Sequence, residues 1–147
     1  MIIILTGQPN SGKTTLALEL IHQLHETRKD VTAVTIDGDT LRAVTRNVDY
    51  SKTGRRKNVL TANNLAINSD TTNDYTVVAL VSPFRDLRES LKDNNKHVVK
   101  EVYLHSNRLR EGKMVEYYEP PLTNYLDIDT DKHTIEESIK LILDYIK

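Results

Sequence analysis

Residues 7–14 read Gly7-Gln8-Pro9-Asn10-Ser11-Gly12-Lys13-Thr14, the complete GxxxxGK-Thr spacing of a Walker A phosphate loop. Its glycines let backbone N–H groups turn inward around phosphate oxygens, and a helix starting at its end would add partial positive charge. In that reading Gly7, Asn10, Ser11, Gly12, Lys13, Thr14 and Thr15 hold ATP. Lys13 reaches the β- and γ-phosphates, and the Thr14 hydroxyl ligates Mg²⁺. Farther along, Asp37-Gly38-Asp39 sets two carboxylates on either side of a glycine. Phosphoryl transfer needs a metal-bound triphosphate, an aligned acceptor hydroxyl and a receiver for that hydroxyl's proton. We assign Asp37 to Mg²⁺, directly or through water, and Asp39 to the hydroxyl as general base. Lys13, Asp37 and Asp39 are then the expected catalytic set, with Thr14 and Asp37 on the metal. Taken alone, Asp-Gly reads equally well as a turn after a strand; the preceding phosphate loop favours catalysis.

The stretch after this pair is cationic: Arg42, Arg46, Lys52, Arg55, Arg56 and Lys57 stand against Asp49. Such a run is commonly a solvated face. Directly after a general base it suits an anionic acceptor, held by arginine forks on phosphate or sulfate oxygens. Tyr50 lies among these charges, where it could stack on a nucleobase. Ser82-Pro83-Phe84-Arg85 adds a hydroxyl, a helix start at Pro83 and another arginine. The bland reading of Ser82 is a helix cap.

These residues need a scaffold that brings them to one edge. Met1 to Leu5 is an apolar, β-branched run suited to a buried parallel strand, and residues 15–24 continue from the loop with helical apolar spacing. Further strands are expected at 31–36, 76–81, 98–104 and 125–130, with helices over 55–69 and 83–94. Thr134 with Glu137 forms a capping box ahead of a C-terminal helix. Strand–helix alternation predicts an α/β fold of the P-loop NTPase type: an open parallel sheet of about five strands with helices on both faces. Ligands then sit at the C-terminal strand ends, where the polar residues above fall.

Bulk properties bound the rest. Residues 1–147 suffice for a single domain with one sheet covered on both faces. Twenty Lys+Arg against 21 Asp+Glu leave a formal net charge of -1, which excludes a globally cationic binder but not a local basic patch. With no cysteine there is neither a disulfide framework nor a thiolate metal site. The N-terminal apolar run is too short to span a membrane and lacks signal-peptide flanks, so the expectation is a soluble cytoplasmic protein without a membrane partner. Oligomeric state is not legible.

With those residues in view, the chain resembles the adenylylsulfate (APS) kinase family, P-loop enzymes that phosphorylate the ribose 3′-hydroxyl of adenosine 5′-phosphosulfate. The resemblance runs in order from residue 2 to about residue 130. The family's DGDxxR element stands as Asp37-Gly38-Asp39-Thr40-Leu41-Arg42, and its F-S-x-x-x-R-x-x-N segment as Tyr50-Ser51-Lys52-Thr53-Gly54-Arg55-Arg56-Lys57-Asn58. Val81-Ser82-Pro83-Phe84-Arg85, Tyr118-Glu119-Pro120-Pro121 and Leu126-Asp127-Ile128-Asp129-Thr130 match three later stretches. The resemblance implies that Arg42, Arg55, Asn58, Ser82 and Arg85 contact the acceptor nucleotide and that Tyr50 flanks its base. Two departures stand out. Val59-Leu60-Thr61 replaces an isoleucine and two arginines, one of which helps clamp the phosphosulfate. The family's lid shrinks to Ser106-Asn107-Arg108-Leu109-Arg110-Glu111-Gly112-Lys113-Met114-Val115, from which Arg108 or Arg110 would reach the transferring group. A shorter lid leaves the site open, or open to a larger acceptor.

The expected function is therefore ATP- and Mg²⁺-dependent phosphorylation of a nucleotide-like hydroxyl, most simply that of APS. A second reading keeps the chemistry and makes the acceptor a polynucleotide hydroxyl, at a 5′ end or on a hydroxymethylated base. A GTP switch is disfavoured because Asn94-Asn95-Lys96-His97 lacks the aspartate of N-K-x-D. A catalytically dead module is disfavoured by the intact Lys13, Thr14, Asp37 and Asp39.

Overall fold

Met1-Ile2-Ile3-Ile4-Leu5 has no polar alternation, and the computed structural model gives the reason: the strand is covered on both faces. Residues 1–94, 96–108 and 114–147 are described; Arg110 and the middle of the shortened lid lie outside them. The chain opens with β1 (Ile2–Thr6), α1 (Lys13–Thr27), β2 (Ala33–Asp37) and α2 (Gly38–Thr45). It continues through α3 (Lys52–Ser69), β3 (Tyr75–Ala79) and α4 (Arg85–Lys92) to β4 (Val99–His105), β5 (Tyr125–Asp129) and α5 (Ile135–Tyr145). The five strands form one parallel sheet in the order β2-β3-β1-β4-β5. This is the α/β class expected.

Side-chain alternation along β1 feeds two cores. Ile3 and Leu5 pack with Leu16, Leu20 and Leu24 of α1 and Ile139 and Ile142 of α5. Ile2 and Ile4 face the other way, onto Leu41 of α2, Val59, Ala62 and Ala66 of α3, and Leu87 and Leu91 of α4. The buried β1 thus anchors the loop that follows it.

The element ends differ from expectation where capping chemistry intervenes. Asp37 ends β2 and caps α2, its Oδ2 accepting from Asp39 N at 3.1 Å and Thr40 N at 3.4 Å; the Asp-Gly turn signal concealed this short helix. Ser51 Oγ accepts from Gly54 N at 3.2 Å, so α3 begins at Lys52 rather than Arg55. Pro83 does not open α4. The helix starts at Arg85 with Phe84 at its N-cap position, and Ser82, at φ 45°, sits in the left-handed region before it. The capping box of α5 forms as expected, Glu137 N donating to Thr134 Oγ1 and Thr134 N to Glu137 Oε1, both at 3.1 Å.

Candidate active site

The phosphate loop springs from β1 and turns into α1 across the end of β4. Gly7 has no room for a side chain, since a Cβ there would lie 2.1 Å from the Leu104 carbonyl oxygen. Within the loop Lys13 is buried, its Nζ donating to Gly7 O at 3.0 Å, Gln8 O at 2.8 Å and Ser11 Oγ at 3.4 Å. Burial pulls its pKa down to about 8, against the opposing pull of Asp37 and then Asp39. The lysine is thus poised inside the loop on carbonyl oxygens that phosphate oxygens would replace.

The next residue joins the two motifs. Thr14 Oγ1 donates to Asp37 Oδ1 at 2.8 Å, so the hydroxyl and carboxylate expected to share a cation are adjacent. The other Asp37 oxygen is the α2 cap, which fixes the rotamer. Among the described residues no group of three or more His, Asp or Glu could hold a metal by itself. One hydroxyl and one carboxylate, completed by phosphate oxygens and water, is the oxygen donor set that suits Mg²⁺.

A cavity of about 790 Å³ opens from this point toward α3. Asn10, Gly12, Lys13, Thr14 and Thr15 line its loop side and Asp37 and Asp39 its middle. Arg42, Tyr50, Arg55, Asn58 and Ser82, the residues expected on the acceptor, line the rest of it. Gly7 and Ser11 belong to the loop but do not line this cavity; Ser11 lines a neighbouring one. Arg85 stands apart, with Nε donating to Pro120 O at 2.8 Å and the guanidinium beside Glu119.

The cations on the acceptor side are organised by their own loop. Arg42 Nη1 donates to Asn47 O at 3.1 Å and Asp49 O at 2.9 Å, and its guanidinium lies 4.0 Å from the Tyr50 ring centroid. Arg55 approaches the same ring at 5.7 Å and donates from Nε to Tyr50 O at 3.3 Å. Two guanidinium groups therefore approach the Tyr50 ring, and the residue remains 60% exposed. Deeper in, Asn58 is buried and its Oδ1 has no hydrogen-bond partner among the described residues. An unpaired buried acceptor costs roughly 1–3 kcal/mol, which a ligand donor would relieve.

Two features escaped the sequence reading. Arg88, 1% exposed, donates to Glu101 Oε1 at 2.7 Å, to Ser82 O at 2.5 Å and to Glu119 O. It holds the cavity-lining Ser82 turn to β4, and a lone arginine on a charged helix carried no sequence signal of this. The second is a cavity of about 620 Å³ on the other side of the loop, bounded by Tyr103, His105 and Tyr118. Arg108 lines both cavities, its Nη2 donating to Thr130 Oγ1 and its Nε to Ser106 Oγ, each at 2.8 Å.

The family described as adenylylsulphate kinase matches residues 1–112. The chain is 29% identical over 164 residues to the adenylyl-sulfate kinase of Halothermothrix orenii, covering 97% of this chain and 86% of that one. It is 26% identical over 170 residues to the Staphylococcus epidermidis adenylyl-sulfate kinase, covering 99% and 83%. Its fold is similar to the solved Mycobacterium tuberculosis APS kinase CysC in complex with AMPPNP and APS, with a TM-score of 0.81, 20% identity and coverage of 99% and 96%.

Proposed function

Because this chain belongs to the adenylylsulphate kinase family, we propose that it transfers the γ-phosphoryl group of ATP to a nucleotide-like hydroxyl, most simply the ribose 3′-hydroxyl of APS. One observation carries the reading: a single cavity joins Lys13 and the Thr14–Asp37 pair to the unpaired Asn58 Oδ1. Donor and acceptor chemistry therefore share one space.

In this proposal Lys13 leaves the carbonyl oxygens of Gly7 and Gln8 for the phosphates, and the loop amides hold the triphosphate in line. Thr14 and Asp37 would hold Mg²⁺, which when bound neutralises charge on the phosphates. Asp39, at the first turn of α2, receives the proton of the acceptor hydroxyl. Tyr50 offers its exposed face to the acceptor base, and Arg42 and Arg55 bring positive charge to its anionic groups. Asn58 Oδ1 accepts from an N–H or O–H of the acceptor. Use of ATP supports a cytoplasmic setting, and among the described residues no helix is long and apolar enough to cross a membrane.

A second reading, a polynucleotide hydroxyl as acceptor, is favoured by the cationic stretch of Arg42, Arg46, Lys52, Arg55, Arg56 and Lys57, from which Arg42 and Arg55 line the cavity.

The test is transfer of labelled phosphate from ATP, with Mg²⁺, to APS, to single- and double-stranded DNA with and without hydroxymethylated bases, and to no acceptor. We expect label on APS and none with Lys13→Ala, since removing a preorganised charge contact costs roughly 3 kcal/mol or more of transition-state stabilisation. Label on nucleic acid with APS inert would select the second reading. Turnover in Lys13→Ala matching the parent would overturn both.

A further inference from the structure

The phosphate loop makes one side-chain contact that phosphate binding does not call for. Gln8 Nε2 donates to Val115 O at 2.9 Å, and Val115 N donates to Gln8 Oε1 at 2.8 Å. A primary amide that uses both its ends on one residue's backbone imitates a rung between strands, fixing both distance and orientation. Val115 is 4% exposed, so water competes little for these bonds.

The neighbours of the pair give it meaning. Met114, directly before Val115, lines the cavity that holds both the loop and the expected acceptor residues, and the adjoining one. Farther along the same segment, Tyr118 Oη and Thr6 Oγ1 are 2.9 Å apart, and Glu119 N donates to Pro83 O at 3.0 Å. Residues 114–119 therefore run as a strap along the C-terminal edge of the sheet, tied at one end by Gln8. The backbone carbonyl of Gln8 is also the nearest acceptor of Lys13 Nζ. One residue thus holds the phosphate-binding lysine with its carbonyl and, with its amide, a strap whose other end bonds the cavity-lining Pro83 next to Ser82.

We propose that Gln8 is a positioning residue that couples the triphosphate site to the acceptor wall, performing by a latch part of what a longer lid would do; this rests on the kinase reading above. Triphosphate draws Lys13 off Gln8 O, and the loop settles around the phosphates. Through the amide pair that settling sets the position of Val115 and Met114. Occupancy of the donor site then tightens the acceptor site, and by linkage the acceptor tightens the donor site equally.

Two variants separate coupling from structure. Gln8→Leu removes both bonds; Gln8→Glu keeps the length and the bond from Val115 N but cannot donate to Val115 O. Calorimetry would compare APS affinity with and without AMPPNP, and hydrogen exchange would follow the Val115 amide. In the parent protein we expect AMPPNP to tighten APS by about tenfold and to slow Val115 exchange, within the usual range of site-to-site coupling. In Gln8→Leu the ratio should fall to about one while AMPPNP alone binds within about twofold of the parent, with Gln8→Glu in between. A merely structural glutamine would lower the melting temperature and leave the ratio unchanged, which overturns the proposal. So does Val115 exchange in the parent that does not respond to AMPPNP. Should APS prove not to be the acceptor, the acceptor assay fails but the Val115 response to AMPPNP still decides the latch.

Discussion

Asp37 and Asp39 are separated by one glycine yet differ in how they are held, and the roles proposed for them rest on that difference. Asp37 spends one oxygen on Thr14 and the other on the α2 amides, so it is held still, which suits the cation-ligand role proposed for it. Asp39 has its backbone N–H tied to Asp37 and lines the same cavity, where the proposal gives its carboxylate the substrate proton. Asp39→Asn should accordingly cut turnover by roughly 10²–10⁴ while ATP affinity stays close to that of the parent. A collapse of ATP affinity, measured by calorimetry, would exchange the two aspartates' roles. Lys13 supplies a pH signature. Its pKa of about 8 lies below the 10.5 of an exposed lysine, so between these values the unfolded chain binds more protons than the folded one. Stability of the unliganded protein then rises with pH across that window, as the cost of burying the ammonium is relieved. Triphosphate favours the ammonium, so ATP binding near pH 9 should take up protons and weaken as pH rises further. Calorimetry in buffers of different ionisation heat would read this uptake; Lys13→Met, showing the same uptake, would assign it to another group.

At the scale of elements, the acceptor side depends on how a loop seats against a helix. The turn carrying Asp49 and Tyr50 packs onto Gly54 in the first turn of α3, where an added Cβ would fall 2.2 Å from the Asp49 carbonyl oxygen. Arg42 clasps the same turn from α2. Gly54→Ala should push the turn outward at a cost of roughly 1–3 kcal/mol, raising the acceptor KM while leaving AMPPNP affinity little changed. An unchanged acceptor KM would show that Tyr50 does not depend on this seat. The helices and strands themselves were largely readable, because β1, α1 and α5 carry their periodicity and caps in contiguous residues. α2 was not, since a capping aspartate and a turn aspartate look alike before Gly38. The start of α4 was misplaced for a related reason: Pro83 suits a first helical position, but the left-handed Ser82 and the Arg88 bond to its carbonyl set the chain direction there.

Across the whole molecule, the parallel order β2-β3-β1-β4-β5 gathers residues from distant stretches at one edge. The buried arginine–glutamate pair of Arg88 and Glu101, with Lys92 Nζ 2.6 Å from Glu101 Oε2, binds α4 to β4 beneath that edge. Such a network is costly to desolvate and costly to break, which makes it a fixed reference for the turn above it. By itself the sequence determined the phosphate loop, the D-x-D pair, the α/β class and the family resemblance. In each of these the informative residues are neighbours or follow a short period, so local chemistry constrains them directly. Only the tertiary structure decided that Thr14 meets Asp37, that Asn58 Oδ1 is left unpaired, that Arg85 turns to Pro120, and that Gln8 latches Val115. The partners in those contacts lie far apart in the chain, and for Asn58 Oδ1 none stands among the described residues. Which polar group meets which was settled by packing two apolar cores against one sheet, not by any pattern within a segment.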